Sequence, residues 1–143
     1  MRPLGKQVIM IDSASTTNGG TATGNVDCLG ANFCEIDVKL STSNNVTNNP
    51  SVFNLLECDT TVATSFVTIS GWVGDTDFTI PNCVTQGSWG AKLRVDLRGR
   101  KRYLRLAISP LTTQVVDAVA NLFYNEEDAI GTTKANVKLL VEG

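Results

Sequence analysis

Between Lys92 and Ile108, apolar and polar side chains alternate on both sides of a central glycine. A period of two is the signature of a strand with one buried face. Leu93, Val95 and Leu97 share one face, with Lys92, Arg94, Asp96 and Arg98 on the other, and after Gly99 the apolar row resumes at Leu104, Leu106 and Ile108. Residues 92–105 therefore read as a β-hairpin with a cationic tip. They hold seven of the chain's twelve Lys and Arg residues and one acid, Asp96, while the rest of the chain holds five basic and thirteen acidic residues. A patch of +6 on a body of −8 implies an acidic partner.

The same period recurs elsewhere. Gln7–Asp12, Phe33–Leu40, Val52–Cys58 and Phe66–Trp72 read as strands, and Phe78–Pro81 as a shorter one, since Pro81 has no N–H to give a ladder. The runs 13–24 and 41–50, rich in Ser, Thr, Asn and Gly, read as loops. Gln114–Tyr124 fits both a strand and a helical i, i+3, i+4 pattern through Val115, Val119, Leu122 and Phe123. Its early β-branched residues, and the lack of Lys, Glu or Gln on a solvent face inside it, favour strand. Asn136–Val141 is a further candidate strand.

Eight or nine short strands at roughly ten-residue spacing in 143 residues define an all-β chain, one β-sandwich domain over residues 1–143. A jelly roll is preferred over an immunoglobulin-like arrangement because the long polar loops suit Greek-key crossings. There is no basic start followed by an apolar core and cleavage site, and no run of about 18 apolar residues, so the sequence reads as neither exported by that route nor membrane-spanning. Asn45-Val46-Thr47 matches a glycosylation acceptor and reads as a chance match.

The chain has no histidine. Ser-His-Asp and Cys-His constellations are therefore excluded, and the commonest proton shuttle and metal ligand is missing. There is no phosphate-binding Gly-x-x-x-x-Gly-Lys loop and no Gly-x-Ser-x-Gly elbow. Asp75 and Asp77 read as a solvated turn rather than a calcium loop, and the sequence offers no cofactor or metal site. Cys28, Cys34, Cys58 and Cys83 lack Cys-x-x-Cys spacing and read as small buried hydrophobes, with a Cys28–Cys34 disulfide as the alternative. These absences point away from an enzyme.

The basic segment has three readings: a solvated edge guarded by its charges, a nucleic-acid site, or a protein-binding patch. The overall charge of −2 and the shortage of exposed aromatics disfavour nucleic acid. Arginine outnumbers lysine five to two in the segment, and its planar fork suits carboxylates of a protein partner. The interface candidates are Arg98, Arg100, Lys101, Arg102 and Arg105, with Glu126, Glu127 and Asp128 as acids offered to a neighbouring copy. Arg98 and Arg105 have the alternative of pairing with Asp96. A carbohydrate-binding module would need exposed aromatics, of which Trp89, between glycines, is the best placed, followed by Trp72, Tyr103 and Tyr124.

At Asp96-Leu97-Arg98-Gly99-Arg100-Lys101-Arg102-Tyr103-Leu104-Arg105 the sequence resembles small virion proteins of tailed bacteriophages. Supporting stretches are Met1-Arg2-Pro3-Leu4, Asp27-Cys28-Leu29-Gly30, Leu56-Glu57-Cys58-Asp59, Ser70-Gly71 and Asp77-Phe78-Thr79-Ile80-Pro81, so the likeness runs over most of the chain. Cys28 and Cys58 depart from the group's pattern. The resemblance implies a capsid decoration or cement protein in the virion, assembled in the host cytoplasm. It would be a homotrimer bound to the major capsid protein on the outside of the head, with no membrane partner. A tail or head-to-tail adaptor role is the alternative it leaves.

Overall fold

The computed structural model describes residues 4–17, 20–41, 50–81, 88–111 and 113–124. Eight strands are present among them: β1 (Leu4–Thr16), β2 (Ala22–Asp27), β3 (Phe33–Ser41), β4 (Val52–Cys58), β5 (Val67–Val73), β6 (Ser88–Asp96), β7 (Tyr103–Ser109) and β8 (Gln114–Tyr124). They form two four-stranded antiparallel sheets, one ordered β1-β8-β3-β6 and the other β2-β7-β4-β5. Successive strands cross repeatedly from one sheet to the other, which is the double-sheet jelly roll of eight strands. The fold expected from the sequence is the fold found.

The core lies between the sheets and is built from the rows that the period of two marks. Cys34, Ile36, Val38 and Leu40 on β3 and Val116, Ala118, Ala120 and Leu122 on β8 face Leu104, Leu106 and Ile108 on β7. Leu104, Leu106, Ile108 and Leu122 are fully buried, and each such side chain contributes about 1.5–3 kcal/mol by leaving water. Gln114–Tyr124 is a strand, paired on both sides, with its second row half-buried as well.

Three expectations need correction. Residues 92–105 are not a hairpin: β6 pairs with β3 in one sheet, while β7 pairs with β2 and β4 in the other. Two strands facing one core from opposite sheets show the same alternation as two strands paired side by side, so periodicity does not distinguish them. The connection 97–102 turns at Gly99 (φ 77°), with Arg100 N–H donating to the Leu97 carbonyl at 3.0 Å, and carries the chain between sheets.

The supposed loop 13–24 contains the end of β1 and the start of β2. Its small residues fit there because β1 is an edge strand with two register shifts, near Met10 and Ser13, and because Ala22 and Gly24 face a crowded interior. Phe78–Pro81 is not a strand. A single bridge joins Gly74 and Phe78, and the turn between them is held by carboxylates. Asp75 Oδ1 accepts from Ile80 N–H at 3.0 Å and Asp77 Oδ2 from Val73 N–H at 2.9 Å. The turn reading of this acidic pair holds. Asn136–Val141, Asn45-Val46-Thr47 and Cys83 lie outside the described residues.

Candidate protein-binding interface

Strand order places the β2–β3, β4–β5 and β6–β7 connections at one end of the sandwich, beside the start of β1 and the end of β8. Backbone hydrogen bonds join the β2–β3 and β6–β7 connections and the end of β8: Cys28 N–H donates to Arg102 O at 2.8 Å, Leu97 N–H to Asn32 O at 3.0 Å, and Asn32 N–H to Phe123 O at 2.9 Å. All five cationic candidates lie at this end.

The structure gives four of them partners within the chain. Arg98 folds back on Asp96, its Nε 2.9 and 3.0 Å from the two carboxylate oxygens. Arg100 Nη1 lies 3.7 Å from Glu57 Oε1. Arg102 grips Asp27 in a bidentate pair, at 2.9 and 2.7 Å, with its guanidinium carbon 4.9 Å from the centre of the Tyr103 ring. Arg105 donates to Asn25 Oδ1 at 2.7 Å and to the Ala63 carbonyl at 3.2 Å, and stacks 3.9 Å over Phe66. Arg98 therefore takes the Asp96 partner that the sequence offered, and Arg105 does not.

Lys101 differs. Its backbone N–H donates to Glu57 Oε2 at 3.1 Å, but among the described residues no carboxylate lies within ion-pair reach of its Nζ. Glu126, Glu127 and Asp128 lie outside the described residues.

The charge separation seen in the sequence is thus largely closed in the fold. Asp27 arrives from β2, Glu57 from β4, Asp59 from just after β4, where it accepts from Arg102 N–H at 3.3 Å, and Asp96 from β6. Three of the five cations, Arg98, Arg100 and Arg102, meet carboxylates through their side chains, and Glu57 and Asp59 also accept from the loop's backbone N–H groups; Asp27, Glu57 and Asp59 are each separated from the loop by dozens of residues. Net charge alone therefore overstates the positive charge left for a partner, which at this end rests on Lys101 and Arg105.

The other two basic residues of the segment behave likewise. Lys92 and Arg94 lie on the outer face of the β1-β8-β3-β6 sheet, where Lys92 Nζ reaches Glu35 at 2.6 Å and Asp37 at 3.1 Å, and Arg94 Nε reaches Glu35 at 3.0 Å. Asn121 donates to Asp37 at 3.2 Å and Gln7 to Asn121 at 3.3 Å, so one polar ladder crosses all four strands. Pairs of this kind between directly opposed residues fix register.

These contacts set a pH response. The Arg102 guanidinium holds Asp27 below the usual carboxylate range, Lys92 and Arg94 do the same for Glu35, and Arg98 takes Asp96 down to about 2. A carboxylate with a depressed folded value stabilises the fold above its unfolded value and loses that contribution as pH falls through the folded one. With no histidine in the chain, stability is expected to be flat from about pH 6 to about pH 8 and to fall below about pH 4. Urea midpoints across this range measure it, and a midpoint that rises on acidification would contradict the pairs.

Other candidates are resolved by burial. Cys28, Cys34 and Cys58 are free, buried thiols, and the neighbouring Cys28 thiol, with burial second, pushes Cys34 upward, away from thiolate chemistry. Trp89 is 5% exposed, donates from Nε1 to the Pro81 carbonyl at 2.7 Å and packs edge-on against Phe53. It is a core residue at the opposite end, which removes the best aromatic of the carbohydrate-binding reading. The sequence reasoning missed Leu29, Val62 and Val67, exposed aliphatics at the cationic end. The signal was available: Leu29 stands in a turn and Val62 in a short polar run, places where an aliphatic side chain has no inner face to occupy.

No protein-family model matches the chain, and no curated protein does. Several solved structures are similar to it at low identity. The SPBc2 prophage-derived protein YomS is 14% identical, with 86% of this chain and 96% of that one covered and a TM-score of 0.46. The infectious bursal disease virus VP2 subviral particle gives 12% identity, 92% and 35% coverage and a TM-score of 0.49. A family GH115 4-O-methyl-α-glucuronidase gives 15% identity and a TM-score of 0.41, with 85% of this chain covering 16% of the enzyme. The chain thus spans a small part of the glucuronidase and about a third of VP2. These are likenesses of fold, and no activity follows from them.

Proposed function

We propose that residues 1–143 form one non-enzymatic domain of a virus particle, a decoration protein that binds the outside of an assembled phage head and ties major capsid subunits together. The observation that carries the reading is the strand order, β1-β8-β3-β6 over β2-β7-β4-β5. Viral capsid domains use this double-sheet jelly roll, and the resemblance at residues 96–105 draws on the connection between its two sheets.

In this reading the end bearing Arg98, Arg100, Lys101, Arg102 and Arg105 faces the head. Their in-chain pairs hold the end in one shape, which lowers the ordering cost of binding. Glu126, Glu127 and Asp128 offer carboxylates to an adjacent copy in a trimer, and three equivalent weak contacts at a local three-fold multiply into firm attachment. The test is abundance in purified particles: the reading expects one copy per major capsid subunit or one trimer per local three-fold, and absence from particles overturns it.

A further inference from the structure

Resting on that reading, we infer that the head-binding contact is carried by Leu29, Val62 and Val67, and that the partner is an aliphatic segment of a capsid subunit flanked by carboxylates. Among the described residues the exposed large apolar side chains are Ile9, Leu29, Val62, Val67 and Leu111. Isolated cases are ordinary on any surface. Here three of the five lie at the cationic end, at 64%, 55% and 52% exposure.

Each stands beside an arginine already held within the chain. Leu29 N–H donates at 3.1 Å to Asp27, the carboxylate that Arg102 grips. Val62 precedes the 3-10 turn Ala63–Ser65, whose first carbonyl accepts from Arg105. Val67 is the strand partner of Glu57, which takes Arg100. From β2, which leads into Leu29, to β5, which begins at Val67, is three strand spacings, about 14 Å, so all three aliphatics fit beneath one ordinary protein contact.

The balance of forces favours the aliphatics. An arginine already bidentate to its own carboxylate gains little from a second one, because exposed ion pairs are weak and the first pair has to loosen. Aliphatic side chains that are mostly exposed have their whole transfer free energy still to gain. An apolar centre rimmed by arginines and aromatics, here Arg102 over Tyr103 and Arg105 over Phe66, is the anatomy of interface hot spots. Lys101 and Arg105, neither with a carboxylate partner among the described residues, leave a residual positive field that selects a partner bearing acids.

The experiment is sedimentation of the purified full-length chain with purified heads that lack it, at about 50 mM and about 500 mM salt. Leu29→Asp and Val62→Asp are each expected to weaken binding roughly tenfold or more, whereas Lys101→Glu and the added salt each change it by about threefold or less. Leu29→Ser and Val62→Ser guard against misfolding and are expected to weaken binding in the same direction. Unchanged binding by the aspartate variants, or a larger loss from Lys101→Glu or salt, overturns the inference. So do two other occupants: a second copy, if Leu29→Asp converts an oligomer of the free protein to a monomer, or the chain's own residues 125–143, if carbodiimide links Lys101 to Glu126–Asp128 within one chain. Failure of the wild type to sediment with heads overturns instead the decoration reading on which the inference rests.

Discussion

Replacing Gly24 with valine is expected to lower unfolding stability by about 3 kcal/mol or more. Gly24 sits in the middle of β2 on its inward face, where β1 crosses from the opposite sheet. A Cβ at this position would lie 2.3 Å from the Met10 carbonyl oxygen and 2.6 Å from Ile11 Cγ1. The nearest atom is backbone, so no rotamer change relieves the clash, and β1 or β2 has to move. Gly24→Ala already introduces the offending carbon and is expected to be destabilising, with valine worse. Urea midpoints of both variants measure the effect, and a midpoint equal to that of the wild type would mean that β1 does not press on β2 as described.

The second large effect is expected at Leu106. It is fully buried at the centre of β7, the strand partner of Gly24 on one side and of Leu55 on the other. Leu106→Ala removes buried methyl groups and leaves a cavity walled by both sheets, which costs about 2–5 kcal/mol. Its neighbour Arg105 points to the outer face, where its contacts are a side-chain amide, a carbonyl and the Phe66 ring. Arg105→Ala is expected to cost about 1 kcal/mol. The contrast between adjacent positions is the sharper test, since a global error in strand phase would reverse it. Comparable losses at 105 and 106 would contradict the packing.

Much of this architecture is legible in the sequence because burial leaves a periodic trace. The rows Cys34-Ile36-Val38-Leu40 and Val116-Ala118-Ala120-Leu122 are seen without any structure, and they are the inner faces of two paired central strands. Sheet membership leaves no such trace. Leu97 and Leu104 flank one turn and point into the same core whether their strands pair or oppose, so a crossover between sheets reads as a hairpin. β2 is hidden for a different reason: Ala22, Gly24 and Val26 alternate inward, yet their small size, demanded by the approach of β1, gives the segment the composition of a loop.

The site shows the same division. The cations are obvious because they cluster in sequence, whereas their carboxylates come from 75 residues away in the case of Asp27 and Arg102. Local charge counting records the one and misses the other, and so overstates the positive charge left for a partner. Trp89 misleads in the opposite direction. Gly87 and Gly90 around it suggest an exposed loop, but the residue opens β6 with its ring turned into the core.

If the chain is a stoichiometric part of a virus head, as proposed, its copy number in purified particles, measured by mass spectrometry against the major capsid protein, will show it. The expected ratio is near one to one, or one trimer at each local three-fold. A few copies per particle would place the chain in the tail or at the head-to-tail junction, and no copies at all would contradict a virion role altogether.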